Sequence, residues 1–295
     1  MEILTVENLS KNYGSIKALK NVSFSVPKGT VFGILGPNGS GKTTLLGIVM
    51  DVLKATSGGY KIFGEIPTNQ RRKQMGTLLE TPNFYHYLTA VQNLKIAASI
   101  KEHGHEDIER VLEIVNLTAR KNSNFNTYSL GMKQRLAIGS ALLGNPDVLV
   151  FDEPTNGLDP VGIAEIRELI KKLSQQGKTI IMASHLLDEV EKVCTHVAIL
   201  KQGTLITHGD VNEILINEDL VEVIATDLEQ LKNVLSQMNG YSKIDIADKA
   251  VRIFFPSGKA DLAAVNRFCF DNGIVLSHLQ LKKKSLESKF FELTN

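Results

Sequence analysis

The sequence predicts an α/β protein built on a mostly parallel sheet, with a second, smaller α+β domain after it. Three observations carry this expectation. Short apolar runs at Val31–Leu35, Val148–Phe151, Thr179–Ala183 and His196–Leu200 read as strands buried on both faces. Helical patterns lie between strands, from Lys42 to about Leu53, Val161–Gln175 and Leu186–Val193, as connections in a parallel sheet require. After about Ile216 the pattern resets into shorter strands and helices.

In chain order, Ile3–Val6 and Val22–Val26 carry apolar or β-branched residues in partial alternation. Tyr13-Gly14 and Pro27-Lys28-Gly29 provide the turns of a small N-terminal β region. From Asn83 to Asn145 the spacing becomes helical: Leu88, Val91, Leu94 and Ala98, then Ile108, Val111, Leu112 and Val115, then a helix from about Gly131 to Leu143. This stretch, about 83–145, reads as a helical insertion. Asp159-Pro160 is a strong helix start, because Asp accepts orphan N–H groups and Pro at the first position wastes no donor. The expected division is residues 1–215 and 216–295. In the second part, Val221–Thr226, Lys243–Ile246, Val251–Phe255 and Ile274–Leu281 read as strands. Asp227–Met238, Lys259–Asn272 and Leu286–Leu293 read as helices, and Pro256-Ser257-Gly258 as a turn.

The 295 residues include 33 Lys+Arg against 32 Asp+Glu, a net charge of +1. That balance argues against nucleic-acid binding by bulk charge and against a disordered tail. The hydrophobic fraction of 43% supplies sizeable cores, yet no apolar run reaches the roughly 18 residues of a membrane span. Met1-Glu2-Ile3-Leu4-Thr5 lacks the pattern of a signal peptide. Cys194 and Cys269 stand far apart without metal-ligand neighbours, which fits a reducing compartment.

Gly36-Pro37-Asn38-Gly39-Ser40-Gly41-Lys42-Thr43 matches the Gly-x4-Gly-Lys-Ser/Thr phosphate loop, after a strand and before a helix. Glycines let successive N–H groups turn inward on phosphate oxygens, and the helix start adds partial positive charge. Lys42 is placed to reach the β/γ-phosphates and Thr43 to ligate Mg²⁺. Val148–Phe151 runs into Asp152-Glu153. Two carboxylates at the end of a buried strand need partners. Beside a phosphate loop, Asp152 would hold Mg²⁺ through water and Glu153 would polarise the attacking water. Together these elements predict a nucleoside triphosphatase.

The surrounding pattern, over roughly residues 2–215, resembles the ATP-binding subunit of ABC transporters, a phosphate-loop ATPase fold of ABC type. Its distinctive part is Tyr128-Ser129-Leu130-Gly131-Met132-Lys133-Gln134-Arg135, which is similar to the family's Leu-Ser-Gly-Gly-Gln signature. Leu130 replaces the first glycine and Met132 the glutamine. The resemblance implies that Ser129 and Gly131 face the γ-phosphate held by a partner subunit. It also implies that Tyr13 stacks on adenine, that Thr44 joins the phosphate-loop contacts, and that Gly157-Leu158-Asp159 runs along the dimer seam. His185 resembles the histidine that contacts the γ-phosphate and orients water.

Where the family usually has glutamine, this chain has Glu80, in Leu78-Leu79-Glu80-Thr81-Pro82-Asn83-Phe84-Tyr85. An ionised glutamate only accepts hydrogen bonds, so it could coordinate Mg²⁺ or a ligated water, or simply be a loop carboxylate. That string, the signature segment and the tail Leu286–Leu293 are similar to the subgroup linked to bacitracin and lantibiotic export, antibiotic self-protection and multidrug export.

The resemblance implies an ATP- and Mg²⁺-dependent motor working as a head-to-tail pair, with itself or a similar subunit. It would sit at the cytoplasmic face of the membrane through a separate transmembrane permease, with no nucleic-acid partner. The helical insertion and the Glu80 loop would receive the permease; Phe84, Tyr85, Tyr87 and Leu88 are either contact surface or local core. Import remains the alternative within transport. A DNA-repair or translation ATPase of the same superfamily, or a kinase or GTPase, are alternatives of other classes. Against the first stands the absence of paired nucleotide domains, coiled-coil insertions and zinc sites. Against the second stand the signature, Gly157-Leu158-Asp159 and His185.

Overall fold

Alternating apolar runs and glycine turns build two compact units, Met1–Asp210 and Val211–Asn295. The computed structural model describes residues 1–79, 83–215, 219–256, 258–282, 286 and 290. Glu80 and most of the expected closing helix Leu286–Leu293 therefore lie outside the described residues.

The first unit opens with two long antiparallel strands, β1 (Glu2–Tyr13) and β2 (Ile16–Pro27), joined by the tight turn in which Tyr13 pairs with Ile16. Both strands extend well past the apolar stretches that announce them. Register shifts along β1 let polar residues between Val6 and Tyr13 stay in the ladder. Next come β3 (Val31–Leu35), α1 (Lys42–Val49), β4 (Ser57–Ile62), the one-turn α2 (Asn69–Arg72) and β5 (Met75–Leu78). Helix α1 ends four residues before the expected Leu53. Asp51 turns left-handed (φ 64°), and the N–H groups of Val52 and Leu53 fold back onto the Gly47 carbonyl.

The helical stretch holds α3 (Ala90–Lys101), α4 (Ile108–Ile114) and α5 (Leu130–Leu142). A Thr89/Gln92 capping box starts α3. The chain returns to the sheet through β6 (Val148–Asp152), α6 (Pro160–Gln175), β7 (Thr179–Ser184), α7 (Leu187–Glu191), β8 (His196–Lys201) and β9 (Thr204–Asp210).

The six-stranded sheet has the order β5-β6-β7-β3-β8-β9, parallel except for β9. Every residue of β3, β6 and β7 is buried. That is why these strands read as unbroken apolar runs. Phe24 of β2 stacks on Phe32 of β3 at 5.4 Å, joining the antiparallel layer β2-β1-β4 to the main sheet. Ile34, Val150 and Ile181 of the sheet share one core with Leu45, Leu46 and Val49 of α1. Each fully buried aliphatic side chain of this kind contributes about 1.5–3 kcal/mol.

The second unit contains α8 (Val211–Leu215), β10 (Asp219–Ala225), α9 (Leu228–Leu235), β11 (Lys243–Ala247), β12 (Ala250–Phe255), α10 (Leu262–Asp271) and β13 (Leu276–Lys282). From β10 onward this is βαββαβ, with an antiparallel sheet in the order β11-β12-β10-β13, a ferredoxin-like arrangement. Val221, Val223, Ile253 and Phe255 bury against Leu231, Leu235, Val265 and Cys269 of the two helices. Glu222, which alternates to the other face, ion-pairs with Lys282 at 2.7 Å. That hydrogen bond holds its carboxyl below the usual carboxylate range.

No described helix is long and apolar enough to cross a membrane.

Candidate nucleotide site

The parallel register sets the site. Leu35 pairs with Ser184 and Asp152 with Ala183, so β3, β6 and β7 all end at the same edge of the sheet. Open parallel sheets present ligand sites at the carboxyl ends of their strands, where the order of connection reverses. Here the phosphate loop, Asp152-Glu153 and His185 leave three neighbouring strands at that edge.

The loop from Gly36 to Gly41 needs its glycines for specific reasons. Gly36 has φ +156°, and a Cβ there would lie 2.3 Å from the Leu200 carbonyl oxygen and 2.5 Å from Ser40 Oγ. Gly41 caps α1 in a left-handed conformation (φ +106°), with the Ala18 carbonyl 2.6 Å from where a Cβ would stand. Gly203, in the β8–β9 turn, braces the loop from outside. Its N–H donates to the Ser40 carbonyl at 3.0 Å and its own carbonyl accepts from Lys20 N–H at 2.7 Å. Gly203 was not singled out from the sequence; Gln202-Gly203 between two strands is the turn signal that marks it.

Lys42 is buried, and its ammonium folds back over the loop, donating to the carbonyls of Gly36 at 2.8 Å and Pro37 at 3.3 Å. It also lies 3.5 Å from Glu153 Oε1. The other carboxylate oxygen, Oε2, is 2.9 Å from His185 Nδ1. Glu153 adopts a left-handed backbone (φ 49°), fixed by its N–H donating to the Ala183 carbonyl and its carbonyl accepting from Asn156 N–H. Such a conformation costs a non-glycine residue about 1–3 kcal/mol and marks an over-determined position. Asp152 is buried at the end of β6, whereas Thr43 is exposed and Thr44 half-buried at the start of α1.

Tyr13 stands at the β1–β2 turn and is 45% exposed, with the Lys11 ammonium 4.9 Å from its ring centre.

Ser129 and Gly131 form a second group. Ser129 caps α5, its hydroxyl accepting from Met132 N–H at 3.3 Å. Asp159 caps α6 in the same way, accepting from Gly162 N–H at 2.9 Å, with Pro160 as the first helical residue. The two helix starts approach closely: a Cβ on Gly131 would come 3.9 Å from Gly162 Cα. Between them lies a cavity of about 460 Å³, lined by Ser129, Gly131, Gly157 and Asp159 among others. Among the described residues, Ser129 and Gly131 make no hydrogen bond to the phosphate loop of their own chain.

The aromatic group of the helical insertion divides. Phe84 packs edge-on against buried Phe125 at 5.2 Å, and Leu88 is half-buried. Tyr85 and Tyr87 are 51% and 70% exposed and meet each other at 6.0 Å.

Residues 19–156 match the ABC transporter family. The ABC transporter ATP-binding protein YhcH of Bacillus subtilis is 36% identical, over 99% of this chain and 96% of its own length. The bacitracin transport ATP-binding protein BcrA of Enterococcus faecalis is 33% identical, again over 99% and 96%. Among solved structures, the dimeric bacterial ABC transporter cassette MJ0796 superposes with a TM-score of 0.62 at 28% identity, covering 70% of this chain and 98% of that one. A phosphate loop, a carboxylate pair and a histidine converging at one sheet edge, inside a chain related to such proteins from end to end, place it in a single family: it belongs to the ATP-binding subunits of ABC transporters and is an ATPase.

Proposed function

We propose that this chain drives an exporter of a peptide antibiotic or a comparable amphipathic substrate. The observation that carries the substrate class is the reach of the similarity to the bacitracin transport protein BcrA, which includes the second unit as well as the ATPase. Export is the direction that the Glu80 string and the C-terminal tail imply through the resemblance. The transported molecule would be selected by the membrane subunit, with Tyr85 and Tyr87 as the exposed surface that meets it.

Chemically, Lys42 exchanges its two loop carbonyls for β- and γ-phosphate oxygens, and Tyr13 stacks on the adenine. Glu153 is the general base that polarises the attacking water, and His185 fixes its carboxylate and reaches the γ-phosphate. The donors available for Mg²⁺ are hard oxygens, the Thr43 hydroxyl and the buried Asp152 carboxylate, which fit an ion that keeps waters and phosphates as its other ligands. When bound, Mg²⁺ would neutralise charge developing on the phosphates. The resemblance assigns Glu80 to Mg²⁺ or to a water bound on it. Ser129 and Gly131 serve the nucleotide of a second copy: among the described residues they make no hydrogen bond to their own loop, and the dimeric MJ0796 cassette supports pairing of two copies.

Purified Glu153→Gln should retain ATP binding, lose turnover by about 10²–10⁴-fold, and elute as an ATP-dependent dimer. Near-normal multiple-turnover hydrolysis would exclude Glu153 as the base. Export is tested in membranes that carry this chain together with its transmembrane permease. ATP-dependent accumulation of peptide in inside-out vesicles supports export, while a requirement for an external binding protein would establish import.

A further inference from the structure

The β1–β2 turn is exposed from Asn12 through Lys17. Gly14 is left-handed with no neighbour against its Cβ position, and Tyr13 is nearly half exposed. A ring in that situation loses rotamer freedom when a base settles on it, at a cost to affinity.

Lys11 changes this. It lies two residues before Tyr13 on the same strand, so the two side chains share a face of β1. Its ammonium sits over one face of the Tyr13 ring, 4.9 Å from the centre. The same ammonium donates to the Lys54 carbonyl at 2.8 Å, which fixes where the charge stands. The segment bearing that carbonyl is itself tied to β1: Thr56 N–H donates to the Ser10 carbonyl at 2.8 Å, and Thr56 Oγ1 accepts from Asn12 N–H at 2.9 Å. Among the described residues Lys11 has no carboxylate partner, so its charge acts on the ring without a counter-charge beside it.

We propose that Lys11 is a positioning residue for base recognition: anchored on the Lys54 carbonyl, it occupies one face of the Tyr13 ring and leaves the other face to the adenine. Two effects follow. The ring is held in one orientation before nucleotide arrives. Its electron density is drawn toward the cation, which makes the opposite face a better platform for an electron-rich purine. The inference rests on the assignment of Tyr13 to the adenine, and the test keeps the two apart.

The chain has no tryptophan, so Tyr13→Trp installs a single tryptophan, excited apart from the tyrosines, at the platform of the intact chain. ATP should quench it, and Lys11→Met in that background should weaken the titration by about two- to fivefold, the range of an exposed cation–π contact. Lys11→Arg should restore it. With Tyr13 in place, Lys11→Met should raise KM for ATP by the same factor, with no part of the loss in kcat. Lys11→Gln, which keeps a polar end without the charge, should behave like Lys11→Met and serves where the methionine variant melts early. If Tyr13→Ala weakens ATP binding but neither Lys11 variant does, Lys11 has no positioning role. A loss confined to kcat, or one that Lys11→Arg does not restore, overturns the proposal equally. If Tyr13→Ala leaves ATP binding unchanged, the adenine assignment itself fails.

Discussion

Glu153 Oε2 lies 2.9 Å from His185 Nδ1, so the residue assigned as base is already gripped by the residue assigned to orient it. The remaining oxygen faces Lys42 at 3.5 Å. A carboxylate held at both oxygens has little freedom to turn away from a water placed at the loop. His185→Ala removes the short ring contact and leaves Lys42 and the longer bond from the backbone N–H of residue 185 to Oε2, at 3.4 Å, in place. Turnover should fall by about 10²-fold, the size of a misplacement of roughly 1 Å, while ATP affinity drops far less. Single-turnover kinetics with a parallel binding titration separate the two, and a loss confined to affinity would contradict the orienting role.

The phosphate loop discriminates between its own glycines. Gly36→Ala places a methyl 2.3 Å from the Leu200 carbonyl oxygen, in a backbone region that side chains avoid. Gly39→Ala faces open space at φ +79° and carries backbone strain alone. The first should destabilise the unit by about 1–3 kcal/mol through forced movement of the loop and abolish ATP binding. The second should cost about 1–2 kcal/mol and retain measurable binding. Thermal melts and nucleotide titrations of the pair provide the check, and identical behaviour would remove the steric explanation.

Lys101 provides a pH-dependent signature in the fold itself. It closes α3, and its ammonium donates to the carbonyls of Ser140 and Ala141 at the end of α5. Burial lowers its pKa to about 8, below the ordinary value near 10.4 that applies in the unfolded chain. Between those values the unfolded state binds more protons than the folded one, so stability rises with pH across that window. Arginine does not deprotonate there. The difference in Tm between wild type and Lys101→Arg should therefore grow in favour of wild type from about pH 8 to about pH 10.4. A constant difference would mean that Lys101 keeps its proton throughout.

Much of this architecture was legible because the decisive strands are buried on both faces and their loops obey strict chemistry. Val148–Asp152 and Thr179–Ser184 lie within a residue of the expected bounds, and Asp159-Pro160 starts α6 as its capping chemistry requires. Ser57–Ile62, Met75–Leu78 and Thr204–Asp210 gave no comparable signal. One opens Ser-Gly-Gly, one has four residues, and one is a largely polar edge strand without an unbroken apolar run. Within the site, Lys42, Asp152 and Glu153 were readable from spacing, whereas His185 depended on the resemblance. The brace from Gly203 and the anchor of Lys11 on the Lys54 carbonyl depend on pairings between distant segments, which local patterns do not encode.

The placement of β3 between β7 and β8 has a consequence for the newborn chain. The whole phosphate-loop motif leaves the ribosome early, but the strand that aims it gains its first sheet neighbour only with Thr179–Ser184, and Ser40 its brace only with Gly203. At ordinary elongation rates that interval lasts on the order of 10 s. During it the chain carries a complete nucleotide motif on an unpaired, wholly apolar strand. The step that confers ATP binding during synthesis is thus the arrival of a late strand and a turn, and until then β3 is a segment for chaperones to shield.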